Sequence, residues 1–200
     1  MRIITESYIC RKGAFLNGKK IIDTNHESDN YLKELYQGLQ LNYPKFFKMD
    51  NLSKMVLLGS KLLKENIEEL GDGSKLQLTF ANSGSSQKTD LQFKKGYVEM
   101  KSASPSLFVY TLPNILIGEL SIYFSWYGEN VFVIQEEFDP QFFIDQAEFA
   151  FKRGNSHCLC GWVEAKTNSE EECYLFLMKN EGEALNCQIL LNSLISYRNE

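Results

Sequence analysis

The sequence lacks any run rich in lysine or arginine and any long apolar segment. Its 26 acidic residues outnumber its 21 basic ones and give a formal net charge of −5. Because affinity for nucleic acid comes largely from neutralised phosphates, this balance argues against nucleic acid as the main partner and disfavours an anionic membrane surface. No segment approaches the ~18 to 20 apolar residues of a membrane span, and residues 1–10 lack the regions of a signal peptide. We therefore expect a cytoplasmic protein with no membrane span.

Histidine is scarce, and the cysteines follow no regular pattern. The only histidines are His26 and His157, and the five cysteines are an odd number without the even spacing of a disulfide framework. Cys158 and Cys160 flank one leucine, so a strand would point both to the same face, but a zinc site needs further ligands that the sequence does not offer. We predict reduced, mostly buried thiols, no metal site and no cofactor.

Nucleotide-binding motifs are also missing. The segments "NSGSSQKTD" (82–90) and "GDGSK" (71–75) contain the glycines and serines expected of a phosphate cradle. A P-loop requires G-x-x-x-x-G-K-[ST] and a dinucleotide site requires G-x-G-x-x-G, and neither motif occurs. We therefore interpret both segments as connecting loops.

The hydrophobic pattern predicts one α/β domain over residues 1–200. With 44% hydrophobic residues, the chain can bury a substantial core. Helices alternating with strands favour a layered fold with a partly parallel sheet. The predicted strands are residues 2–10, 75–81, 130–134, 157–165 and 171–180, with a turn between short extended pieces over 13–22. The predicted helices begin near 31, cover 51–70, begin near 112 after an extended piece from 104, and cover 140–152 and the tail 184–198.

Residues 130–155, "NVFVIQEEFDPQFFIDQAEFAFKRGN", run from a buried strand through an acidic turn into a helix. Asp139 is the predicted N-cap of this helix, with Pro140 at its first position. A strand that leads to the N-terminus of a buried helix is a favoured place for the nucleophile of an enzyme. Here the turn carries Glu136 and Glu137 instead.

Several segments, taken in their order along the chain, resemble the N-terminal half of β-ketoacyl synthases, which have the thiolase-like fold. The similar residues are Leu112-Pro113-Asn114, Gly118, Gly128-Glu129, the strand 130–134 and Gly161-Trp162-Val163-Glu164, together with "KMDNLSKMVLLGSKLL" (48–63) and "FANSGSSQKTD" (80–90). The resemblance spans about residues 45–180 and looks most like the short 3-oxoacyl-[acyl-carrier-protein] synthase-like proteins of Bacteroidetes. It implies an α/β thiolase-like layered fold, about one half of a ketosynthase, with a mixed sheet and a buried central helix.

The resemblance places Glu137 where the family has its nucleophilic cysteine. A carboxylate at this position is stabilised by the helix dipole, but it is a poor acyl acceptor from a thioester. The two histidines that polarise the malonyl thioester in the family belong to a C-terminal half that this chain is too short to complete, and His26 and His157 match neither. The resemblance therefore assigns no catalytic residue.

Three interpretations of the junction stay open. In the first, its acidic side chains cap the helix. In the second, Glu136, Glu137, Phe138, Pro113 and Asn114 form a relic acyl pocket. Glu137 then mimics a bound carboxylate, much as glutamine replaces the nucleophile in decarboxylating ketosynthases and chain length factors. In the third, the paired acids act as general acid and base.

The corresponding functions belong to different classes. The resemblance implies a non-catalytic subunit that pairs with itself or with a full-length ketosynthase in fatty-acid, polyene or polyketide synthesis, with acyl carrier protein as a further partner. The alternatives are a malonyl- or acyl-carrier decarboxylase or acyltransferase that uses Glu137, and a free acyl-binding module. Helix 140–152 is apolar on almost every side, so we expect a homodimer or heterodimer partner to cover part of it.

Overall fold

The computed structural model describes residues 1–63, 70–99, 101–167, 171–182 and 185–200. In these ranges, seven strands form one sheet in the order β3-β2-β1-β7-β6-β4-β5. The strands are β1 Arg2–Cys10, β2 Gly13–Leu16, β3 Lys19–Asp23, β4 Leu76–Asn82, β5 Asn130–Ile134, β6 His157–Ala165 and β7 Glu171–Lys179. Strand β4 runs parallel to β5 and to β6, and the other pairs are antiparallel. The predicted mixed sheet is confirmed.

Helices cover both faces of this sheet. They are α1 Tyr31–Gly38, α2 Asn51–Leu62, α3 Gln87–Glu99, α4 Pro105–Val109, α5 Ile115–Phe124, α6 Pro140–Lys152 and α7 Cys187–Asn199, and a 3₁₀ turn covers Pro44–Lys48. One hydrophobic core joins α1, α2 and α5 to the first face, and a second core joins α6 and α7 to the other. Strand β4 is buried at every residue because helices lie on both sides of it.

The predicted long helix is confirmed as α2, a deeply buried element on the first face. Its N-cap is Asp50, whose carboxylate accepts a hydrogen bond from the backbone N–H of Ser53 at 3.0 Å. Gly59 allows the helix to approach the sheet closely, because a Cβ at this position would crowd Leu175. The hydroxyl of Ser7 in β1 donates to the Gly59 carbonyl at 3.0 Å. Residues 64–69 of the predicted helix lie outside the described residues.

Helix α6 differs from the expectation that it is apolar on almost every side. Its buried residues, Phe143, Ile144, Ala147 and Ala150, all belong to the side that packs on the sheet. The opposite side is polar, and hydrogen bonds or ion pairs join its residues at helical spacing: Gln141 with Asp145, and Glu148 with Lys152. Phe149 is 53% exposed. The expectation that both faces of this helix need a cover is therefore wrong, because its outer side is suited to water.

The segment between β4 and β5 contains two helices that the sequence pattern does not predict. Helix α3 begins at Gln87, inside the predicted loop 82–90, and α4 replaces the extended piece expected from residue 104. Pro105 occupies the first turn of α4, and the Ser104 hydroxyl accepts from the backbone N–H of Leu107 at 3.3 Å. The helix expected near residue 112 begins at Ile115 as α5.

Candidate functional site

A cleft of about 630 Å³ opens at one edge of the sheet. Strands β4, β5 and β6 are parallel, and β1 has the same direction because both β1 and β6 are antiparallel to β7. The carboxyl ends of these strands therefore meet at one edge, which is where open α/β sheets place their ligand sites. The lining residues are Tyr8, Cys10, Arg11, Lys12, Ser83, Glu136, Glu137, Phe138, Trp162, Glu164, Lys166, Glu171, Glu172, Leu191, Tyr197 and Arg198.

The junction between β5 and α6 forms part of one wall of this cleft. Glu136 and Glu137 are exposed, and neither carboxylate has a hydrogen bond or ion pair with the described part of the chain. Capping of α6 is performed by Asp139, which accepts from the backbone N–H of Gln141 at 2.9 Å. The N-cap prediction for Asp139 is confirmed, and the two glutamates are left free to face a ligand or a partner.

Phe138 anchors the junction to the second core. Its ring is buried and lies 5.4 Å from the ring of Phe143 and 6.0 Å from those of Trp162 and Tyr174, measured between centroids. Because the Phe138 ring packs into the core, the turn is fixed against the sheet, and the side chains of Glu136 and Glu137 point outward. Pro113 and Asn114 lie in the turn before α5, and they do not line the cleft. The cleft thus contains Glu136, Glu137 and Phe138 of the residues proposed for the pocket.

Glu172 organises the aromatic wall of the cleft. Its carboxylate accepts hydrogen bonds from the Tyr8 hydroxyl at 2.9 Å, from Trp162 Nε1 at 3.2 Å and from the guanidinium of Arg198. Burial, with the charge of Glu172 nearby, raises the pKa of Tyr8 above its ordinary value. Tyr8 therefore stays protonated and donates its hydrogen bond, so Glu172 acts as a structural acceptor.

Glu171 is a buried carboxylate that lines the cleft, with a side chain that is 0% exposed. Lys88 Nζ and Asn51 Nδ2 each donate to its Oε1 at 2.6 Å, and Arg11 Nη2 lies 3.2 Å from Oε2. Burial acts to raise the pKa of Glu171, but the hydrogen bonds from Lys88 and Asn51 and the charges of Lys88 and Arg11 outweigh it and lower that pKa. Glu171 is therefore an ionised centre that joins β7 to β1, α2 and α3.

The loop after β4 resembles a phosphate cradle in sequence, but its amides are already occupied. The backbone N–H groups of Ser83 and Gly84 point at the carboxylate of Glu164 on β6, at 2.5 Å and 3.3 Å. Glu164 is buried, so an internal carboxylate fills the position that an anion would take. This contact gives a physical reason for interpreting the loop as structural.

None of the five cysteines is part of the β5–α6 junction itself, although Cys10 lines the cleft and the Cys187 thiol donates to the Gln141 side-chain oxygen in the first turn of α6 at 3.1 Å. Cys158, Cys160 and Cys173 are fully buried in the sheet, and all five cysteines are free thiols. Cys158 and Cys160 face the same side, with their sulfur atoms 3.5 Å apart, as the strand alternation predicts. Burial raises the pKa of Cys10, Cys160 and Cys173 and so opposes formation of a thiolate. Within the described ranges, no group of acidic, cysteine or histidine side chains is arranged to hold a metal ion.

Comparison with known proteins supports the fold without assigning a family. No protein-family model matches the sequence, and no curated protein is similar to it. Solved structures do match. A ketosynthase in complex with its chain length factor from Xenorhabdus doucetiae superposes with a TM-score of 0.62 at 13% identity, over 90% of this chain and 79% of that chain.

Two further structures agree with this match. The ishigamide ketosynthase/chain length factor gives a TM-score of 0.65 at 15% identity, over 91% of this chain. A type II polyketide synthase ketosynthase in complex with its acyl-carrier protein gives 0.54 at 14% identity, over 89%. In both cases the match covers 62% of the other chain. The protein therefore has the thiolase-like fold of ketosynthase and chain length factor proteins. Among the described helices, none has the length and apolar character needed to cross a bilayer.

Proposed function

We propose that this protein is a non-catalytic partner subunit of a ketosynthase, comparable to a chain length factor, in the cytoplasmic synthesis of polyketide, polyene or fatty acyl chains on a carrier protein. The observation that carries the proposal is the β5–α6 junction. A strand leads here into the N-terminus of a helix, the arrangement in which the resemblance places the nucleophile, and the junction presents Glu137 to the cleft and contains no cysteine. The likeness to short Bacteroidetes 3-oxoacyl-[acyl-carrier-protein] synthase-like proteins stays a prediction.

The outer edge of β5 is the first part of the proposed partner surface. Strand β5 ends the sheet and pairs only with β4 among the described strands. The Glu129 carbonyl accepts from Leu78, and the Gln135 N–H donates to Asn82. Backbone groups alternate along a strand, so those of Asn130, Phe132 and Ile134 point away from β4. Such an edge is a template for pairing with another strand.

The second part of the proposed surface is the hairpin formed by α3 and α4, residues 87–99 and 101–109. Thr89 is the only buried residue of α3, and α4 has none. A helix so little supported by its own chain gains most of its stability from packing on something else. The rings of Phe93 and Phe108 join the two helices at 5.5 Å. The exposed apolar residues of the hairpin are Leu91, Tyr97, Val98, Phe108 and Val109.

The occupant we propose for this surface is a ketosynthase. An apolar patch of this kind is seldom left in water, and a stable pairing buries at least ~1,000 Å². The hairpin and the outer edge of β5 would each contribute to such an area. The solved proteins of similar fold include ketosynthases bound to chain length factors, which supports the choice of partner.

Co-expression with a full-length ketosynthase from the same genome tests the proposal. Gel filtration with light scattering should show a complex heavier than the ketosynthase by multiples of the 23.1 kDa chain mass. Ile134→Glu and Phe108→Asp should each weaken the complex by at least about tenfold, because each buries a charge in an apolar contact. Ile21→Glu, on the opposite edge strand, and Phe149→Asp, on α6, are matched controls with similar exposure, and they should change the affinity less than about twofold.

Two outcomes would count against the subunit role. If the wild-type chain stays a monomer and binds no ketosynthase, a free acyl-binding module becomes the better function. If the two control variants weaken the complex as much as Ile134→Glu and Phe108→Asp do, the partner surface has been placed wrongly.

Glu137→Gln separates the subunit from an enzyme. Glu137 is exposed and has no hydrogen-bond or ionic partner among the described residues, so the change should alter the free energy of unfolding by less than about 0.5 kcal/mol. Product formation by the complex with ketosynthase and carrier protein should stay within about twofold of wild type. A loss of turnover of a hundredfold or more, without loss of the complex, would instead assign Glu137 to catalysis, since general acid–base groups contribute about 10² to 10⁴-fold.

A further inference from the structure

A second, smaller cavity lies beneath the hairpin. It has a volume of about 180 Å³ and is enclosed by the start of α2, the loop after β4 and the first turns of α3, with Leu107 of α4 at its side. We call it the lysine hollow, because its charged lining is dominated by Lys48, Lys54 and Lys88. No other part of the proposed function uses this cavity.

The acidic side chain that lines the hollow already has a structural role. Among the described residues that line the hollow, Asp50 is the only one with a carboxylate, and that carboxylate caps α2 by accepting from the backbone N–H of Ser53. Burial raises the pKa of Asp50 despite this hydrogen bond. Glu171 does not line the hollow, but its Oε1 lies 2.6 Å from Nζ of Lys88 and forms an ion pair with it.

Lys54 is a partly buried cation without a direct ion pair in the described part of the chain. Its Nζ lies 5.9 Å from the centre of the Phe46 ring, and among the described residues no carboxylate lies within ion-pair distance of it. Burial lowers the pKa of Lys54, and the charge of Lys88 acts in the same direction, while the charges of Asp50 and Glu171 oppose this shift only in part. A partly buried ammonium group without a partner is costly, and an anion in the hollow would remove that cost.

We propose that the lysine hollow binds a small oxyanion of the phosphate type. The ammonium groups of Lys54 and Lys48 supply its counter-charge, and the hydroxyl of Thr89 and the amide of Gln92 supply neutral hydrogen-bond donors from α3. The enclosed volume suits a compact anion and excludes a large one. The phosphate group is the shared chemistry of two sources, free inorganic phosphate and a phosphate monoester.

Such an anion would add a connection between α2 and the first turns of α3, the part of the hairpin that lies against the rest of the chain. Lys54 belongs to α2, while Thr89 and Gln92 belong to α3, and Thr89 is the only buried residue of that helix. An anion held by all three would order the hairpin. If the hairpin is the ketosynthase surface, as the proposed function states, the anion would also strengthen the complex.

Calorimetric titration of the full chain with inorganic phosphate, in buffers matched for ionic strength with chloride, tests the site. Saturable binding is expected, and Lys54→Met should weaken it by at least about tenfold, because a charge-assisted hydrogen bond is lost while the packing of the side-chain stem is kept. Lys94→Met removes the same charge from the exposed part of α3, outside the hollow, and should change the affinity less than about twofold. Hydrogen exchange over residues 87–99 should slow when phosphate is added.

The same titration with ethyl phosphate distinguishes the two sources. Binding comparable to that of inorganic phosphate identifies the group as part of a larger molecule that enters at the mouth of the hollow. Binding of inorganic phosphate alone identifies the free ion. Absence of saturable binding in both titrations, or equal losses in Lys54→Met and Lys94→Met, would overturn the proposal. The complex with ketosynthase is measured separately in phosphate-free buffer, so failure of the hollow and failure of the subunit role are distinguishable.

Discussion

Replacing Glu171 with glutamine is expected to lower the free energy of unfolding by about 3 kcal/mol at pH 7, because removing one member of a buried charge cluster leaves the others uncompensated. The side chain of Glu171 is 0% exposed, and those of Lys88 and Arg11 are 29% and 24% exposed. Glutamine keeps the shape and one acceptor oxygen, but it leaves two cations facing each other on the cleft floor.

The pH dependence of this loss follows from the lowered pKa of Glu171. A carboxyl group with a folded-state pKa below its unfolded value contributes stability that is complete above the unfolded value and disappears as the pH falls through the folded one. The difference in the free energy of unfolding between wild type and Glu171→Gln should therefore be largest at pH values above 4.5, the ordinary pKa of a glutamate. It should disappear as the solution becomes more acidic.

Urea unfolding of both proteins, measured at a series of pH values from neutral to strongly acidic, checks this expectation. Glu181→Gln is a control, since Glu181 pairs with Arg2 at 2.7 Å on the exposed surface and such pairs contribute little. Equal midpoints for Glu171→Gln and Glu181→Gln at neutral pH would show that the buried cluster contributes nothing beyond a surface pair.

The elements that were predictable from the sequence are those with a clear hydrophobic pattern, either a continuous apolar run or a helical repeat. The strands β4, β6 and β7 are buried along nearly their whole length, and α2 presents a wide apolar side to the sheet. Helix α3 has no such signal, because only Thr89 is buried and its remaining side chains are a mixture of polar and exposed apolar groups. The helical structure of α3 therefore depends on contacts with residues outside the helix, which its own sequence pattern does not show.

The site was predictable only where it is local in sequence. Strand β5 and the Asp139 cap belong to one segment, and both were predicted correctly, while the role of Glu137 between them stays a prediction. The cleft itself joins Tyr8 to Glu172, which are 164 residues apart, and adds Arg198 from α7. No spacing rule joins such distant residues. Pro113 and Asn114 were included through the resemblance alone, and the fold places them outside the cleft.

Gly128→Ala is expected to have an effect as large as that of Glu171→Gln. A Cβ at position 128 would overlap the carbonyl oxygens of Leu76 and Gly73, which are backbone atoms at the start of β4. Because backbone cannot rotate away as a side chain can, the segment before β5 must move. The next contact, from the Leu78 N–H to the Glu129 carbonyl at 2.9 Å, would be lost or stretched. We expect a loss of about 3 kcal/mol, at the upper end of the cost of overpacking.

Gly118→Ala is the matched control for this change. Gly118 lies in the interior of α5, where an added Cβ meets nothing within 4 Å. Alanine is there expected to stabilise the protein by about 0.5 to 1 kcal/mol, because glycine loses more backbone entropy in a helix. Chemical unfolding of the two variants should thus give shifts of opposite sign, and Gly128→Ala should also weaken the ketosynthase complex because β5 carries part of the proposed surface. A Gly128→Ala protein as stable as wild type would show that the start of β5 is not held against β4, and the placement of the edge strand and of Glu137 would lose its support.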